Sequence, residues 1–295
     1  FEEIIQKKFG YDFSPTQKTA VENFIRFFLD REEEGLFLLR GFAGTGKTSL
    51  VAAIVNALSE LDYKVVLLAP TGRAAKVFAG YSGHAAYTIH KKIYRQKSAA
   101  DGEGIFNLGF NGVADTLFLV DEASMISNEG VSGAVFGTGR LLDDLIQFVY
   151  SGTGCRLILM GDTAQLPPVG EEQSPALFAE ALKGYGLEVI EVDLTQVVRQ
   201  VQDSGILWNA TRLRQLIAED ACQSLPKIKV SGFADIKVVP GDELIDTLST
   251  CYDRDGMDET IVVCRSNKRA NIYNNGIRAQ ILWREDELNT GDLLM

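Results

Sequence analysis

The sequence has no long hydrophobic run, few cysteines and no recognisable secretion signal. None of its apolar stretches approaches the roughly 20 residues that a membrane-spanning helix needs, and the N-terminus opens with mixed charge, unlike a signal peptide. These absences argue against a membrane protein or a secreted one. The cysteines are widely spaced and form no C-x-x-C pair, so we expect reduced thiols in a cytoplasmic protein and neither a disulfide framework nor a zinc site. They are Cys155, Cys222, Cys251 and Cys264.

Acidic residues are also missing from one long segment. The formal net charge of the chain is −11, yet no Asp or Glu occurs from Tyr63 to Ala100. An acidic protein with one purely basic segment can still carry a local surface that binds phosphate groups. A solvated surface that is basic by chance is the alternative interpretation. The basic residues of the segment are Lys64, Arg73, Lys76, Lys91, Lys92, Arg95 and Lys97.

The bulk composition is that of an ordinary globular protein. The chain has 295 residues, of which 46 % are hydrophobic and 23 % are charged. This length allows one large domain or two of moderate size, each with a sizeable core. The first residue is Phe1 and not an initiator methionine, so we expect a trimmed chain.

An apolar run, a glycine loop and a helix-forming stretch follow one another directly. Leu36 to Leu39 predicts a strand, residues 41–48 match G-x-x-x-x-G-K-S/T without mismatch, and residues 50–55 open a helix. Glycines let backbone N–H groups turn towards an anion, and the helix presents its positive end to it. We predict a nucleoside triphosphate site here, and a glycine turn that binds nothing is the alternative. The residues of the site are Gly44, Thr45, Gly46, Lys47, Thr48 and Ser49.

Four polar side chains have predicted roles at this site, and two of them, Asp121 and Glu122, come from outside the glycine loop. Lys47 would lie on the β- and γ-phosphates, and the Thr48 hydroxyl would bind magnesium. Asp121 and Glu122 follow a third predicted strand, Thr116 to Val120. Asp121 would hold magnesium and Glu122 would orient and deprotonate the attacking water. The alternative is a solvated strand end that carries two carboxylates.

Other residues keep two interpretations each on spacing alone. Gln17 completes a capping box with Ser14, or it reads an adenine edge, and the spacing favours the cap. Gln165 follows a fourth predicted strand, at the edge where open α/β sheets bind ligands, or it is a surface amide. Arg199 is a solvated arginine or a cation that reaches a γ-phosphate. His90 is a packed core histidine on its own, since no second ligand nearby suggests a metal.

Taken together, the motifs resemble superfamily-one DNA helicases of the RecD-like branch, which translocate from 5′ to 3′. The resemblance covers most of residues 11–200 and, more faintly, 260–295. It includes Gly-Phe-Ala-Gly-Thr-Gly-Lys-Thr and five further stretches in the order and spacing of the family. The matching stretches are 41–48, 69–76, 88–90, 120–125, 161–170 and 194–200.

The resemblance implies an α/β fold, a P-loop NTPase (RecA-like) parallel sheet flanked by helices. We expect the first motor domain over residues 1–200 and the start of a second RecA-like domain over 201–295. Residues 96–115 are polar and rich in glycine, which predicts a small β-hairpin, with a plain loop as the alternative, and this branch inserts a strand-splitting pin at that place. In the second domain we predict a buried strand from Thr260 to Cys264. Two later family motifs do not occur before Met295, so we expect an N-terminal fragment.

The resemblance also implies an activity, which is ATP hydrolysis with Mg²⁺ coupled to translocation on single-stranded DNA. Gln17 would read adenine, Gln165 would sense the γ-phosphate, and Arg199 would act as an arginine finger. DNA repair and recombination would be the setting, with nuclease or repair-complex subunits as further partners. The residues that would bind DNA are Thr71, Arg73, Lys76 and His90.

A P-loop ATPase or switch that acts on protein partners, without nucleic acid, is the rival hypothesis. It accounts for the acidic composition and for the phosphate loop. It leaves the stretches at 69–76 and 161–170 unexplained. A small-molecule kinase is a third hypothesis, but the sequence carries no sign of an acceptor pocket or of a lid over it.

Overall fold

The computed structural model describes two compact units, residues 1–227 and 228–295. Within the described part, no helix has both the length and the apolar character needed to cross a bilayer. Cys155, Cys251 and Cys264 are free thiols, and Cys222 lies outside the described residues. The division of motor domains at residue 200 stays a prediction. The described residues are 1–295 without 31–33, 97–103, 131–132, 197–203, 220–224, 285, 287 and 292–295.

Helices and strands alternate along the first unit. Its helices are α1 (Glu2–Phe9), α2 (Pro15–Leu29), α3 (Lys47–Glu60), α4 (Gly72–Ser82), α5 (Ile89–Ile93), α6 (Leu141–Tyr150), α7 (Ala179–Lys183) and α8 (Gly205–Ala218). Its strands are β1 (Gly35–Gly41), β2 (Lys64–Ala69), β3 (Ala86–Thr88), β4 (Tyr94–Gln96), β5 (Phe106–Leu108), β6 (Thr116–Val120), β7 (Arg156–Gly161) and β8 (Glu188–Leu194).

Six of the described strands form one parallel sheet in the order β3-β2-β6-β7-β1-β8. The predicted parallel sheet flanked by helices is therefore confirmed. The short strand β3 was not predicted, because three residues carry no readable period. Since all six strands run in one direction, their carboxyl ends share one edge, where ligands bind in open α/β sheets. We call this the carboxyl edge of the sheet.

The central strands β1, β6 and β7 are buried on both faces, which explains why they are nearly continuous apolar runs. In β1, Leu36 and Leu38 pack into the core on one face, while Phe37 and Leu39 pack into the core on the other. The first core also takes in α6, and the second takes in α2 and α3. Burying one such side chain contributes about 1.5–3 kcal/mol. The two cores hold the carboxyl edge rigid beneath the loops that leave it.

Replacing Phe118 of β6 by alanine is expected to lower the free energy of unfolding by about 3–5 kcal/mol. Its ring is 0 % exposed and meets the Phe148 ring edge-on, with the centroids 6.1 Å apart. Alanine would leave a cavity that the close-packed core cannot fill. Urea unfolding measures the change. Phe110→Ala is the control, because that ring is 87 % exposed and its loss should change stability by less than about 0.5 kcal/mol.

Beside the main sheet, β4 and β5 form an antiparallel pair with Tyr94 opposite Leu108. The residues that join them, 97–103, lie outside the described part. Tyr94 donates a hydrogen bond from its hydroxyl to Oδ2 of Asp144 on α6, at 2.7 Å. Asp144 is fully buried, so this bond anchors the base of the pair to the core. A strand-splitting role for the segment stays a prediction.

The second unit contains α9 (Leu244–Asp255) and α10 (Asn267–Gln280). Ser266 caps α10, since its side chain accepts from the Arg269 nitrogen. The predicted strand from Thr260 to Cys264 is wrong, because these residues form no strand and Val263 is 86 % exposed. An apolar run becomes a strand only when a neighbouring strand satisfies its backbone, and the described residues of this unit include none.

Candidate functional site

The phosphate loop joins β1 to α3 at the carboxyl edge. Thr45 donates to the carbonyl of Phe42 from its backbone nitrogen, at 3.2 Å, and from its hydroxyl, at 2.7 Å. Gly44 and Gly46 have φ values of 83° and 78°, in the left-handed region that favours glycine. A Cβ on Gly46 would also lie 2.5 Å from the amide nitrogen of Gln17. Glycine at position 46 is therefore required twice, for its backbone angle and for its lack of a side chain.

Helix α3 starts without a side-chain cap. Its N-cap is Gly46, and no side chain in the described part accepts a hydrogen bond from its first turn. The neighbouring helices differ, since Ser14 caps α2 and Thr71 caps α4. An uncapped first turn leaves backbone N–H groups available, and the helix dipole favours an anion there. The loop thus fits a phosphate group.

Gln17 connects α2 to the phosphate loop. Its side chain is 1 % exposed and completes the capping box with Ser14, which confirms the capping interpretation. Its amide oxygen accepts from the Ser14 nitrogen at 2.9 Å, and its amide nitrogen donates to the Thr45 carbonyl at 2.9 Å. An amide nitrogen carries two hydrogens, and the bond to Thr45 uses one of them. Adenine reading by the other is compatible with the cap and stays a prediction.

Lys47 and Asp121 form a buried ion pair across the carboxyl edge. Lys47 Nζ lies 3.6 Å from Asp121 Oδ1, and the two side chains are 11 % and 12 % exposed. Asp121 Oδ1 also accepts from the Glu122 backbone nitrogen at 2.9 Å. Its Oδ2 accepts from the Tyr81 hydroxyl at 2.6 Å. The arrangement brings a cation from the loop after β1 to a carboxylate from the loop after β6.

Glu122 sits in a strained and partly buried position. Its φ is 55°, which is unfavourable for a residue with a side chain and costs about 1–3 kcal/mol. Its Oε2 is buried and has no hydrogen-bond partner among the described residues. Burial, followed by the negative charge of Asp121, raises the pKa of Glu122, while Lys47 and a hydrogen bond from Gln165 oppose the rise. A carboxylate with an open buried oxygen can accept a proton from a water molecule.

Gln165 links the loop after β7 to the loop after β6. Its Oε1 accepts from the Ser124 hydroxyl at 3.2 Å, and Gln165 also acts to lower the pKa of the neighbouring Glu122. Asp162 supports this loop, since its Oδ1 accepts from the Ala164 nitrogen at 2.8 Å. The amide therefore lies next to the base candidate, although Gln165 is exposed to solvent. Its proposed sensing role needs such a position.

The residues predicted to bind DNA follow β2 and β3 at the same carboxyl edge. Thr71 caps α4, since its hydroxyl oxygen accepts from Ala74 at 3.2 Å. Arg73 and Lys76 are exposed on α4. His90 is half-buried and packs against the Phe136 ring at 5.0 Å between centroids, and burial lowers the pKa of its imidazole. The packing agrees with the core interpretation of His90, and DNA contact by all four predicted residues stays a prediction.

Part of the basic segment lies away from the carboxyl edge of the sheet. Lys64 begins β2 and so occupies the opposite edge of the sheet from Arg73. Lys97 and Arg199 lie outside the described residues. The arginine-finger role of Arg199 therefore stays a prediction.

Two residues near the loop were not anticipated from the sequence. Tyr81, on the last turn of α4, meets Asp121 from 40 residues away, and no local pattern signals such a contact. Burial, and then the Asp121 carboxylate, raise the pKa of Tyr81. The phenol therefore stays protonated and donates a hydrogen bond to Asp121. Arg214 of α8 lies over the Phe42 ring, with its guanidinium 4.8 Å from the ring centre. The composition of α8 does not distinguish Arg214 from other helix arginines.

The donor set fits a magnesium-bound nucleotide. Magnesium is usually held by one or two carboxylates together with phosphate oxygens, and Asp121 offers a carboxylate beside the loop. The uncapped start of α3 and the open Oε2 of Glu122 are further features that a bound phosphate and an attacking water would satisfy.

Comparison with known proteins shows what the chain is similar to. The AAA_30 model, described as an AAA domain, matches residues 12–227. The ATP-dependent RecD2 DNA helicase of Deinococcus radiodurans is 30 % identical over 175 residues, which are 59 % of this chain and 21 % of that protein. The ATP-dependent DNA helicase dda of Enterobacteria phage T4 is 24 % identical over 274 residues, which are 90 % of this chain and 57 % of that protein.

Among solved structures, a Pif1 helicase from Bacteroides is similar, with a TM-score of 0.45 and 20 % identity, over 90 % of this chain and 56 % of that one. The chain spans a fifth of the RecD2 protein and little more than half of dda. The sequence matches confirm the resemblance to superfamily-one helicases of the RecD-like branch. With 12–227 matched by the family model, the chain belongs to the AAA_30 family of AAA domains.

Proposed function

We propose that this chain is the ATP-hydrolysing motor part of a DNA helicase that moves along single-stranded DNA from 5′ to 3′. One observation carries the proposal. Lys47 of an uncapped phosphate loop lies 3.6 Å from Asp121, and the next residue, Glu122, holds a buried carboxylate oxygen with no partner among the described residues. A cation, a metal-binding carboxylate and a base candidate thus meet at one edge, which is what phosphoryl transfer requires.

Each residue has a proposed role in hydrolysis. Lys47 and the backbone N–H groups at the start of α3 bind phosphate oxygens, and Thr48 and Asp121 hold magnesium. The bound ion supplies neutralising positive charge to the phosphates. Glu122 orients a water molecule and takes its proton, and Gln165, which influences the pKa of Glu122, senses whether the γ-phosphate is present. Arg199 adds a cation to the transferring group.

DNA would bind at the far end of the same edge. Arg73 and Lys76 project from α4, which follows β2, and the first residues after β3 lie beside them. Groups that contact phosphates give an affinity that falls with salt. The edge is shared with the phosphate loop, so one rigid sheet connects the two sites.

Arg73→Ala is expected to weaken binding of single-stranded DNA and to lower the salt slope of log K by about 0.7, the value for one phosphate contact on a single strand. Fluorescence anisotropy with a labelled oligothymidylate, titrated at several salt concentrations, measures both. Lys64→Ala is the matched control, since Lys64 is exposed in the same basic segment at the opposite edge. Equal losses in the two variants, or no loss in Arg73→Ala, would contradict the proposed surface.

An ATPase assay with and without single-stranded DNA tests the whole proposal. The full-length protein should hydrolyse ATP only with magnesium, and single-stranded DNA should raise the rate at least tenfold, roughly the size of a 1.4 kcal/mol coupling. Turnover that ignores DNA would favour a P-loop ATPase or switch acting on protein partners. The 5′ to 3′ direction is tested separately, by displacement of streptavidin from one end of an oligonucleotide.

The setting of the motor is also a proposal. The resemblance supports work in DNA repair or recombination in the cytoplasm, with nuclease or repair-complex subunits as partners. The segment between β4 and β5 would supply the strand-splitting pin. Residues 201–295 would begin the second motor domain.

A further inference from the structure

One helix touches both proposed sites. Near its start, α4 carries Arg73 and Lys76, which are exposed. On its last turn, Tyr81 donates a hydrogen bond to Asp121 Oδ2 at 2.6 Å. Residues 73 and 81 are about 12 Å apart along the helix axis at 1.5 Å per residue. A short rigid helix therefore connects the proposed DNA surface to the proposed metal-binding carboxylate.

The hydroxyl of Tyr81 is held in place by its surroundings. Its ring stacks on that of Phe78, with centroids 5.1 Å apart and planes at 26°, and Phe78 is fully buried. The carbonyl of the next residue, Ser82, accepts from Asn56 Nδ2 of α3 at 3.4 Å. Helix α3 is the one that begins with Lys47. The last turn of α4 is therefore hydrogen-bonded both to Asp121 and to the helix that starts at the phosphate loop.

The hydrogen bond from Tyr81 orients the Asp121 carboxylate relative to the phosphate loop. With Oδ2 engaged by the phenol, Oδ1 points to Lys47 Nζ and to the Glu122 nitrogen. A carboxylate is a rigid planar group, so any shift of Oδ1 towards a ligand must turn Oδ2 as well. That rotation changes the hydrogen bond from Tyr81, and with it the force on the last turn of α4.

We propose that Tyr81 is a positioning residue that aligns Asp121 and transmits the occupancy of the phosphate loop to α4, so that bound nucleotide alters the affinity for single-stranded DNA. The inference rests on the proposed function, since it requires a chain that binds both ligands. It assigns Tyr81 no contact with substrate. Its action passes through Asp121 on one side and through the helix on the other.

Tyr81→Phe tests the inference, because it removes the hydroxyl and keeps the ring that stacks on Phe78. The full-length protein is titrated with labelled oligothymidylate, with and without magnesium and a non-hydrolysable ATP analogue. In the wild type the analogue should change the DNA dissociation constant by about 5- to 150-fold, the usual range of coupling between sites. In Tyr81→Phe the change should fall below about twofold, while DNA affinity without nucleotide stays as in the wild type.

The matched control is Tyr185→Phe. It deletes another phenol-to-carboxylate hydrogen bond, that from Tyr185 to Asp143, which links the segment after α7 to α6. This variant should keep the wild-type coupling. Full coupling in Tyr81→Phe would overturn the inference while leaving the proposed function intact. A wild type that binds neither the analogue nor the oligonucleotide would instead overturn the proposed function, and the inference with it.

A second measurement does not depend on deleting the hydroxyl. With 3-fluorotyrosine placed at position 81, the ¹⁹F resonance should shift when magnesium and the analogue are added and shift again when oligothymidylate is added. The same label at position 185 should respond to neither. A resonance at position 81 that responds to nucleotide but never to DNA would overturn the proposed transmission through α4, even if Tyr81→Phe failed to fold.

Discussion

Lys47→Ala in the full-length protein is expected to lower ATP turnover by at least about 10³-fold, the scale of losing one preorganised electrostatic contact in a transition state. The Lys47 side chain is only 11 % exposed, so water cannot replace its charge. Its Nζ lies 3.6 Å from Asp121, so alanine also leaves that buried carboxylate without its cation. Release of inorganic phosphate under saturating ATP and magnesium measures the rate.

Lys64→Ala is the control for this variant. Lys64 is exposed at the amino end of β2, so its loss removes a charge without touching the loop. Its turnover should equal that of the wild type. Turnover within tenfold of the wild type in Lys47→Ala would show that this lysine does not stabilise the transferring phosphate, and the proposed site would be wrong.

Glu122→Gln is expected to lower turnover by about 10²–10⁴-fold, the usual contribution of a general base. Glutamine keeps the size of the side chain but cannot take a proton from water. The raised pKa of Glu122, caused first by burial and then by Asp121, is consistent with a group that accepts protons readily. Single-turnover hydrolysis separates the chemical step from product release.

Nucleotide binding decides whether Glu122 acts in chemistry or in structure. Binding of the magnesium-bound analogue to Glu122→Gln should match the wild type, because glutamine removes a negative charge and leaves the loop intact. Glu129→Gln is the control, since Glu129 is an exposed acid a few residues further along the same connection. A parallel loss of binding and turnover in Glu122→Gln would instead point to a structural role.

Local signals in the sequence were enough to predict the phosphate loop and most of the sheet. The glycine loop stands between an apolar strand and a helix, and each of these is determined by near neighbours in sequence. The strands at Leu36 to Leu39 and Thr116 to Val120 were readable because a strand covered on both faces is an unbroken apolar run. The capping box of Gln17 was also readable from local sequence, since it spans one helical turn.

Predictions that depended on contacts with distant parts of the chain were less accurate. The apolar stretch from Thr260 to Cys264 has the composition of a strand, yet it forms none in the second unit, because composition does not supply a neighbouring strand. The basic segment looked continuous in sequence, but strand β2 separates Lys64 from Arg73. Lys64 and Arg73 therefore fall on opposite edges of the sheet.

The sequence by itself determined that a glycine loop, a pair of acids and buried strands occur together, since motif spacing and apolar runs are local properties, and the resemblance to a family added the parallel sheet. Only the tertiary structure decided that Lys47 meets Asp121, that Glu122 keeps a buried oxygen open, and that Tyr81 joins α4 to Asp121. The physical reason is the parallel sheet. It gathers the ends of strands that are far apart in sequence, and the strand order that makes them neighbours is set by packing.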